Sequence, residues 1–214
     1  MIMLTKGAEP AILAKNSEKW TTELEAEILN GGDNVSYRTS KYNTKEIKSA
    51  LQEEVNGKCA YCESKLLHVT YGDIEHIVPK STDIKLTFAW PNLTLACDKC
   101  NTYKAAKIGI YDPYGSNPEL DFRFYGPMIS HSPGSDVAEI THIELELNRA
   151  QLLERRHEKI KSLLTSLDRL ANIADNQMRE LLKNSIISHE SSPEREFSAC
   201  LKSLIETKRQ RGEI

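Results

Sequence analysis

Residues 59–107 read CAYCESKLLHVTYGDIEHIVPKSTDIKLTFAWPNLTLACDKCNTYKAAK, and two CxxC pairs sit near its ends. Cys59 and Cys62 form the first pair, Cys97 and Cys100 the second, with 34 residues (63–96) between them. Two intervening residues let both thiolates of a turn reach one ion, and two such turns supply the tetrahedral sulfur set that zinc favours. Four thiolates fill that shell and leave no position for water, so the spacing predicts a structural zinc rather than a catalytic one. Dithiol redox chemistry is the competing reading of a single CxxC; it is disfavoured because the pairs occur together and neither follows a clear βαβ pattern.

A loop closed by zinc holds its side chains in fixed positions, so the residues between and just after the pairs carry the interest. YGDIEHIV reads as a strand and Asn101–Ala106 as the start of a helix. Glu75 and His76 are neighbours on that strand and point to opposite faces unless a bulge or bend brings them to one site. The oxygen donors of Glu75 and Asn101 suit a hard ion such as Mg²⁺ or Mn²⁺ better than zinc. A histidine with an ordinary pKa of about 6.5 can take a proton from water near neutral pH. Lys80, Lys99, Lys104 and Lys107 surround the segment with charge compatible with phosphate. Together these groups fit metal-assisted phosphodiester hydrolysis. Taken singly, each has an ordinary alternative: a histidine among apolar neighbours as a structural group, a lysine as solvated surface, an asparagine as a helix cap.

The rest of the chain bounds these readings. Its 214 residues, 39% hydrophobic and 28% charged, have the composition of a globular protein. A net charge of −3 argues against nonspecific coating of nucleic acid and makes any nucleic-acid site local or shared with a partner. No apolar stretch approaches the ~20 residues that span a membrane, and MIMLTKGAEP lacks the apolar region of a secretory signal, so a cytoplasmic location is expected. Cys200 pairs with nothing by spacing, and the histidines at 68, 131, 142, 157 and 189 form no constellation. Helices are expected at Ser17–Asn30, with Ser17 as the cap, and at Thr44–Asn56, where Ile47, Leu51 and Val55 recur before Gly57. A short strand is expected at Phe122–Tyr125. Leu153, Ile160, Leu164, Leu167, Ala171, Ala174, Met178 and Leu181 predict a long amphipathic helix or helix pair facing the core, and a last helix is expected from Ser192-Pro193. The expected fold class is α+β, mainly helical. It divides into an N-terminal helical segment (1–57), the cysteine-bounded core (58–110), a connector (111–140) and a C-terminal helical region (141–214).

CAYC, DIEHIVP, WPNL and CDKCNTYK, in that order, resemble the zinc-containing HNH endonuclease motif. The resemblance implies a zinc-stapled ββα-metal core in which His76 is the general base and Glu75 and Asn101 ligate a catalytic Mg²⁺ or Mn²⁺. It further implies that Asn92 holds the loop that orients His76 and that Lys104 touches a substrate phosphate. The motif's final histidine is replaced by Asn101, a neutral ligand. The flanking stretches TKGAEPAILAK, YDP and IELELNRAQLLERR are similar to the PtuB-like HNH subunits of Septu-type and retron-associated antiphage systems. That similarity implies a nuclease effector acting on nucleic acid, DNA before RNA, in a hetero-oligomer with the ABC-type ATPase PtuA. Two alternatives stay open: an RNase or tRNA-cleaving toxin with the same site, and a catalytically silent zinc-containing adaptor for the ATPase.

Overall fold

A computed structural model of the protein describes residues 1–68, 70–115 and 117–214. The first helix, α1 (Ala11–Leu29), is capped at Pro10, seven positions before the expected Ser17. Pro10 brings its fixed φ to the helix entrance, and the Glu46 carboxylate accepts the free Ile12 N–H at 3.1 Å, so the start needs no serine. After a short α2 (Val35–Thr39), α3 (Lys45–Glu54) opens on Thr44, whose hydroxyl accepts from the Ile47 N–H, and buries Ile47 and Leu51.

The chain then enters the cysteine-bounded core. β1 (Asp73–His76) pairs antiparallel with β2 (Leu93–Ala96), with Asp73 opposite Ala96 and His76 opposite Leu93, and α4 (Asp98–Lys104) follows at once. This is the ββα unit expected. Its helix begins at Asp98 with Cys97 as cap, three residues before the expected start at Asn101, so Cys100 lies inside α4. α5 (Pro118–Asp121) leads into a hairpin of β3 (Phe122–Tyr125) and β4 (Met128–His131), which occupies the connector.

Four helices complete the chain: α6 (Asp136–Glu144), α7 (Ala150–Arg169), α8 (Asn176–Glu190) and α9 (Ser198–Gln210). The expected apolar stripe differs from what they bury. In α7 the expected Ile160 is buried and Leu164 and Leu167 pack against the core, but Leu152, Arg156 and Leu163 are buried there as well, and Leu152 takes the place expected of Leu153. The helix stops at Arg169, Asp175 caps α8 by accepting from the Met178 N–H, and Met178 and Leu181 face outward. The last helix starts at Ser198 and not at Ser192-Pro193. Phe197 takes a left-handed φ of 58°, and the buried Glu63 carboxylate accepts from Ser198 Oγ and the Ala199 N–H, which fixes the helix start from across the molecule.

One hydrophobic core runs through all four segments, from Leu13 and Leu24 of α1 through Phe88 and Leu95 to Leu163 and Leu201. The N-terminal stretch fastens onto the ββα unit, the connector onto the N-terminal stretch, and the C-terminal region onto the β3–β4 hairpin. Leu4 N–H donates to Pro113 O, Lys6 Nζ donates to Leu93 O at 2.6 Å, and Trp90 Nε1 donates to Gly7 O. The Asn148 amide bonds both the N–H and the carbonyl of Ile129. Among the described residues, no helix is long and apolar enough to cross a membrane.

Candidate functional site

The four cysteines meet. Cys59 and Cys62 stand on the turn after α3, Cys97 caps α4 and Cys100 lies in its first turn, and all four sulfurs fall within 4.8 Å of one another in a buried cluster. The Cys62 and Cys97 sulfurs are 3.9 Å apart. A tetrahedron with Zn–S bonds of about 2.3 Å has edges of about 3.8 Å, so the donor set and its size fit zinc. Sequence spacing did not reveal Arg149, which brings Nη2 to 3.8 Å from Cys100 Sγ and 4.0 Å from Cys97 Sγ. Zn²⁺ with four thiolates carries a net charge of −2, and a guanidinium is a suitable partner for it in a buried setting. Cys200 lies apart: it is buried against Gly126 O, and burial pushes its thiol up to about 12.

Beside this cluster is a recess of about 350 Å³ whose walls include Glu75, His76, Asn101, Tyr42 and Lys80. β1 ends at His76 in regular register, and the chain turns immediately after it, so Glu75 and His76 both reach the recess without a bulge. His76 Nε2 is 3.0 Å from Thr87 O, a carbonyl that can only accept. The proton therefore sits on Nε2, and Nδ1 is left with a free lone pair. The Tyr42 ring meets the imidazole edge to face at 4.7 Å. Burial draws the His76 pKa down to about 4, aided by Lys80 and Lys104 and opposed by the Thr87 bond, so the ring is neutral at pH 7.

Asn92 secures both sides of that histidine. Its Oδ1 accepts from Val78 N–H at 2.8 Å, and its Nδ2 donates to Val78 O and Leu86 O at 2.9 and 3.1 Å. The Leu86 bond anchors the short helix that presents Thr87 O to His76.

Lys104 requires a correction. Expected at a phosphate, it is instead fully buried, donating to Glu75 Oε1 at 3.0 Å and to His76 O at 2.6 Å. Lys104 falls on the face of α4 turned under β1, with its amine committed to these two partners. Lys107 pairs with Glu144 at 2.7 Å. Lys80 stays exposed at the rim, with Nζ donating to Tyr42 Oη at 3.1 Å.

Glu75 Oε1 is shared by Lys104 and the His76 N–H, and no described residue bonds Oε2. Burial pushes the Glu75 pKa up, and the ion pair with Lys104 opposes that rise. Asn101 Nδ2 donates to Asp73 Oδ2 at 3.1 Å, which fixes the amide with its oxygen on the other side. A carboxylate oxygen and an amide oxygen thus border the same recess, a donor pair that can hold a hard cation. Asp73, Tyr42 and Arg149 are the residues that motif spacing missed. Only Asp73, at the first position of DIEH, lay within its reach.

Residues 59–107 match the model of the HNH endonuclease family. The chain therefore carries an HNH endonuclease domain, and its class is that of a nuclease, a phosphodiester hydrolase. Over nearly its whole length the chain is similar to a Septu protein PtuB of Bacillus thuringiensis, 27% identical over an alignment 223 residues long that spans 96% of this chain and 82% of that protein. A Septu protein PtuB of Bacillus mycoides (strain KBAB4) is 31% identical over 117 residues, 47% of this chain and 40% of that protein. The chain thus combines an HNH domain at residues 59–107 with a similarity to PtuB proteins that extends over nearly its whole length.

Proposed function

We propose that the protein is a metal-dependent endonuclease in which His76 activates the attacking water, serving as the nuclease effector of an antiphage system. The observation that carries this reading is the neutral His76 with Nε2 held on Thr87 O and Nδ1 free beside the oxygen donors Glu75 and Asn101. His76 Nδ1 takes a proton from water as the water oxygen bonds to phosphorus. The P–O3′ bond breaks, the 3′ oxygen is protonated from solvent, and the products carry 5′-phosphate and 3′-hydroxyl ends. A bound Mg²⁺ or Mn²⁺ would supply the Lewis acid that stabilises charge on the phosphoryl and leaving oxygens. Glu75 and Asn101 would hold that ion, Asn92 keeps His76 in place, and Lys104 keeps Glu75 in place.

DNA is the favoured substrate, and an ABC-type ATPase of the PtuA kind is the proposed partner; both rest on similarity to PtuB proteins. The net charge of −3 supports a division of labour in which the partner helps to capture nucleic acid. The test is incubation of the chain, alone and with its ATPase, with plasmid DNA and bulk RNA in Mg²⁺ or Mn²⁺ and without divalent ion. Metal-dependent nicking or fragmentation is expected. If neither nucleic acid is cut under any of these conditions, a zinc-built adaptor replaces the nuclease.

A further inference from the structure

A second depression of about 490 Å³ lies along α3, walled by Lys45, Lys48 and Gln52 on one side and Tyr71 on the other. It adjoins the recess that contains His76: Tyr42 borders the recess and Asn43, the next residue, borders this groove. Tyr71 is unusual in being rigid at its backbone and free at its ring. Its carbonyl accepts from Gln52 Nε2 at 3.1 Å, and the carbonyl of the next residue, Gly72, accepts from Lys48 Nζ at 2.9 Å. Gly72 has a φ of +70°, and a Cβ there would come within 2.9 Å of Leu66 Cδ1, so only glycine permits this turn. Tyr71 as a residue is nevertheless 77% exposed and takes no part in the core.

The charges on α3 are sorted by face. Lys45 is exposed with no ion-pair partner among the described residues, and Lys48 uses one of its three N–H groups on Gly72 O. Of the three acidic residues on this helix, Glu46 is occupied in capping α1, Glu54 is held by Lys6, Gly7 and Tyr114, and Glu53 is exposed but does not line the groove. The groove therefore has lysines, an amide and an open aromatic face, and its wall at Asn43 is one residue along the chain from Tyr42 of the recess that holds His76. Lys80 adds one more cation at the recess rim.

We infer that this groove binds single-stranded nucleic acid, with an unpaired base stacked on Tyr71 and the adjoining phosphates on Lys45 and Lys48. A duplex hides its base faces in the stack and offers Tyr71 nothing to stack against, whereas an open strand, a loop or a melted junction does. Backbone-tracking cations combined with a fixed aromatic platform are the features by which proteins hold single strands without reading sequence. DNA and RNA share this chemistry. The inference rests on the nuclease reading and adds to it the form of substrate that reaches His76.

Fluorescence anisotropy of the full chain, in a His76→Ala background that prevents cleavage, tests it with labelled single-stranded DNA, single-stranded RNA and duplex DNA of one sequence. Single strands are expected to bind more tightly than the duplex. Tyr71→Ala should weaken single-strand binding by roughly tenfold and leave duplex binding and the melting curve unchanged, while Tyr71→Phe should retain the affinity. Lys45→Glu should weaken binding and lower the salt dependence. A preference for one of the two single strands identifies which polymer the groove takes. Absence of binding both by the chain alone and with its ATPase added, equal binding of single strand and duplex, or indifference to Tyr71→Ala would overturn the inference. Wild-type cleavage measured in parallel keeps the two ideas separate: cleavage with an insensitive Tyr71 removes the groove alone, and no cleavage of any nucleic acid removes the nuclease.

Discussion

Lys104→Met separates two roles that look alike in the sequence. The structure puts Lys104 Nζ 3.0 Å from Glu75 Oε1 with both side chains almost fully buried. Coulomb attraction across that distance is about 5.5 kcal/mol at an effective dielectric of about 20, and much of it is offset by desolvation of the two charges. Removing one partner is costlier than the pair's net contribution, because the other charge is left buried: about 3–5 kcal/mol in comparable cases. At about 2–4 °C per kcal/mol for a chain of this size, the melting temperature of the zinc-loaded protein should fall by roughly 6–20 °C. Thermal unfolding followed by circular dichroism measures this. The double variant Lys104→Met/Glu75→Gln should recover part of the loss, since it removes the stranded carboxylate along with its partner. The reasoning is refuted if Lys104→Met melts with the wild type and instead weakens nucleic-acid binding with a reduced salt slope, which is how a phosphate contact behaves.

Other outcomes follow from the same geometry. Cys59→Ser, or stripping zinc with a strong chelator, should unfold residues around the ββα unit, seen as lost zinc by metal analysis and a lowered melting temperature. Arg149→Leu should leave the four sulfurs in place but speed zinc loss to a chromogenic chelator, because the cation beside Cys97 and Cys100 is gone. Asn92→Ala breaks three hydrogen bonds that are partly buried, so it should cost about 2–4 kcal/mol in chemical denaturation and also lower cleavage; cleavage unchanged at full folding would remove its positioning role.

The parts of the fold that were legible in the sequence are those fixed by local chemistry. Two CxxC turns can close on one ion whatever surrounds them, and Thr44 caps α3 with its own hydroxyl. What escaped was decided at a distance. Glu63 places the start of α9 from 135 and 136 residues away, Glu46 helps to place the start of α1, and neither reads as a cap in sequence. Lys104 was misjudged for a related reason: its partners, Glu75 and the His76 carbonyl, come from β1, 29 and 28 residues earlier, and their packing on α4 converts an expected surface cation into a buried ion pair. Arg149 reaches Cys97 across 52 residues, beyond any motif's span.

The most direct test of the account is the rate and chemistry of cleavage by the wild type and by His76→Ala, with zinc content determined on both samples. The account predicts that the wild type leaves 5′-phosphate and 3′-hydroxyl ends in Mg²⁺ or Mn²⁺, and that the variant, with zinc retained, is slower by at least about a hundredfold. A variant that cleaves at the wild-type rate with the same ends would contradict it.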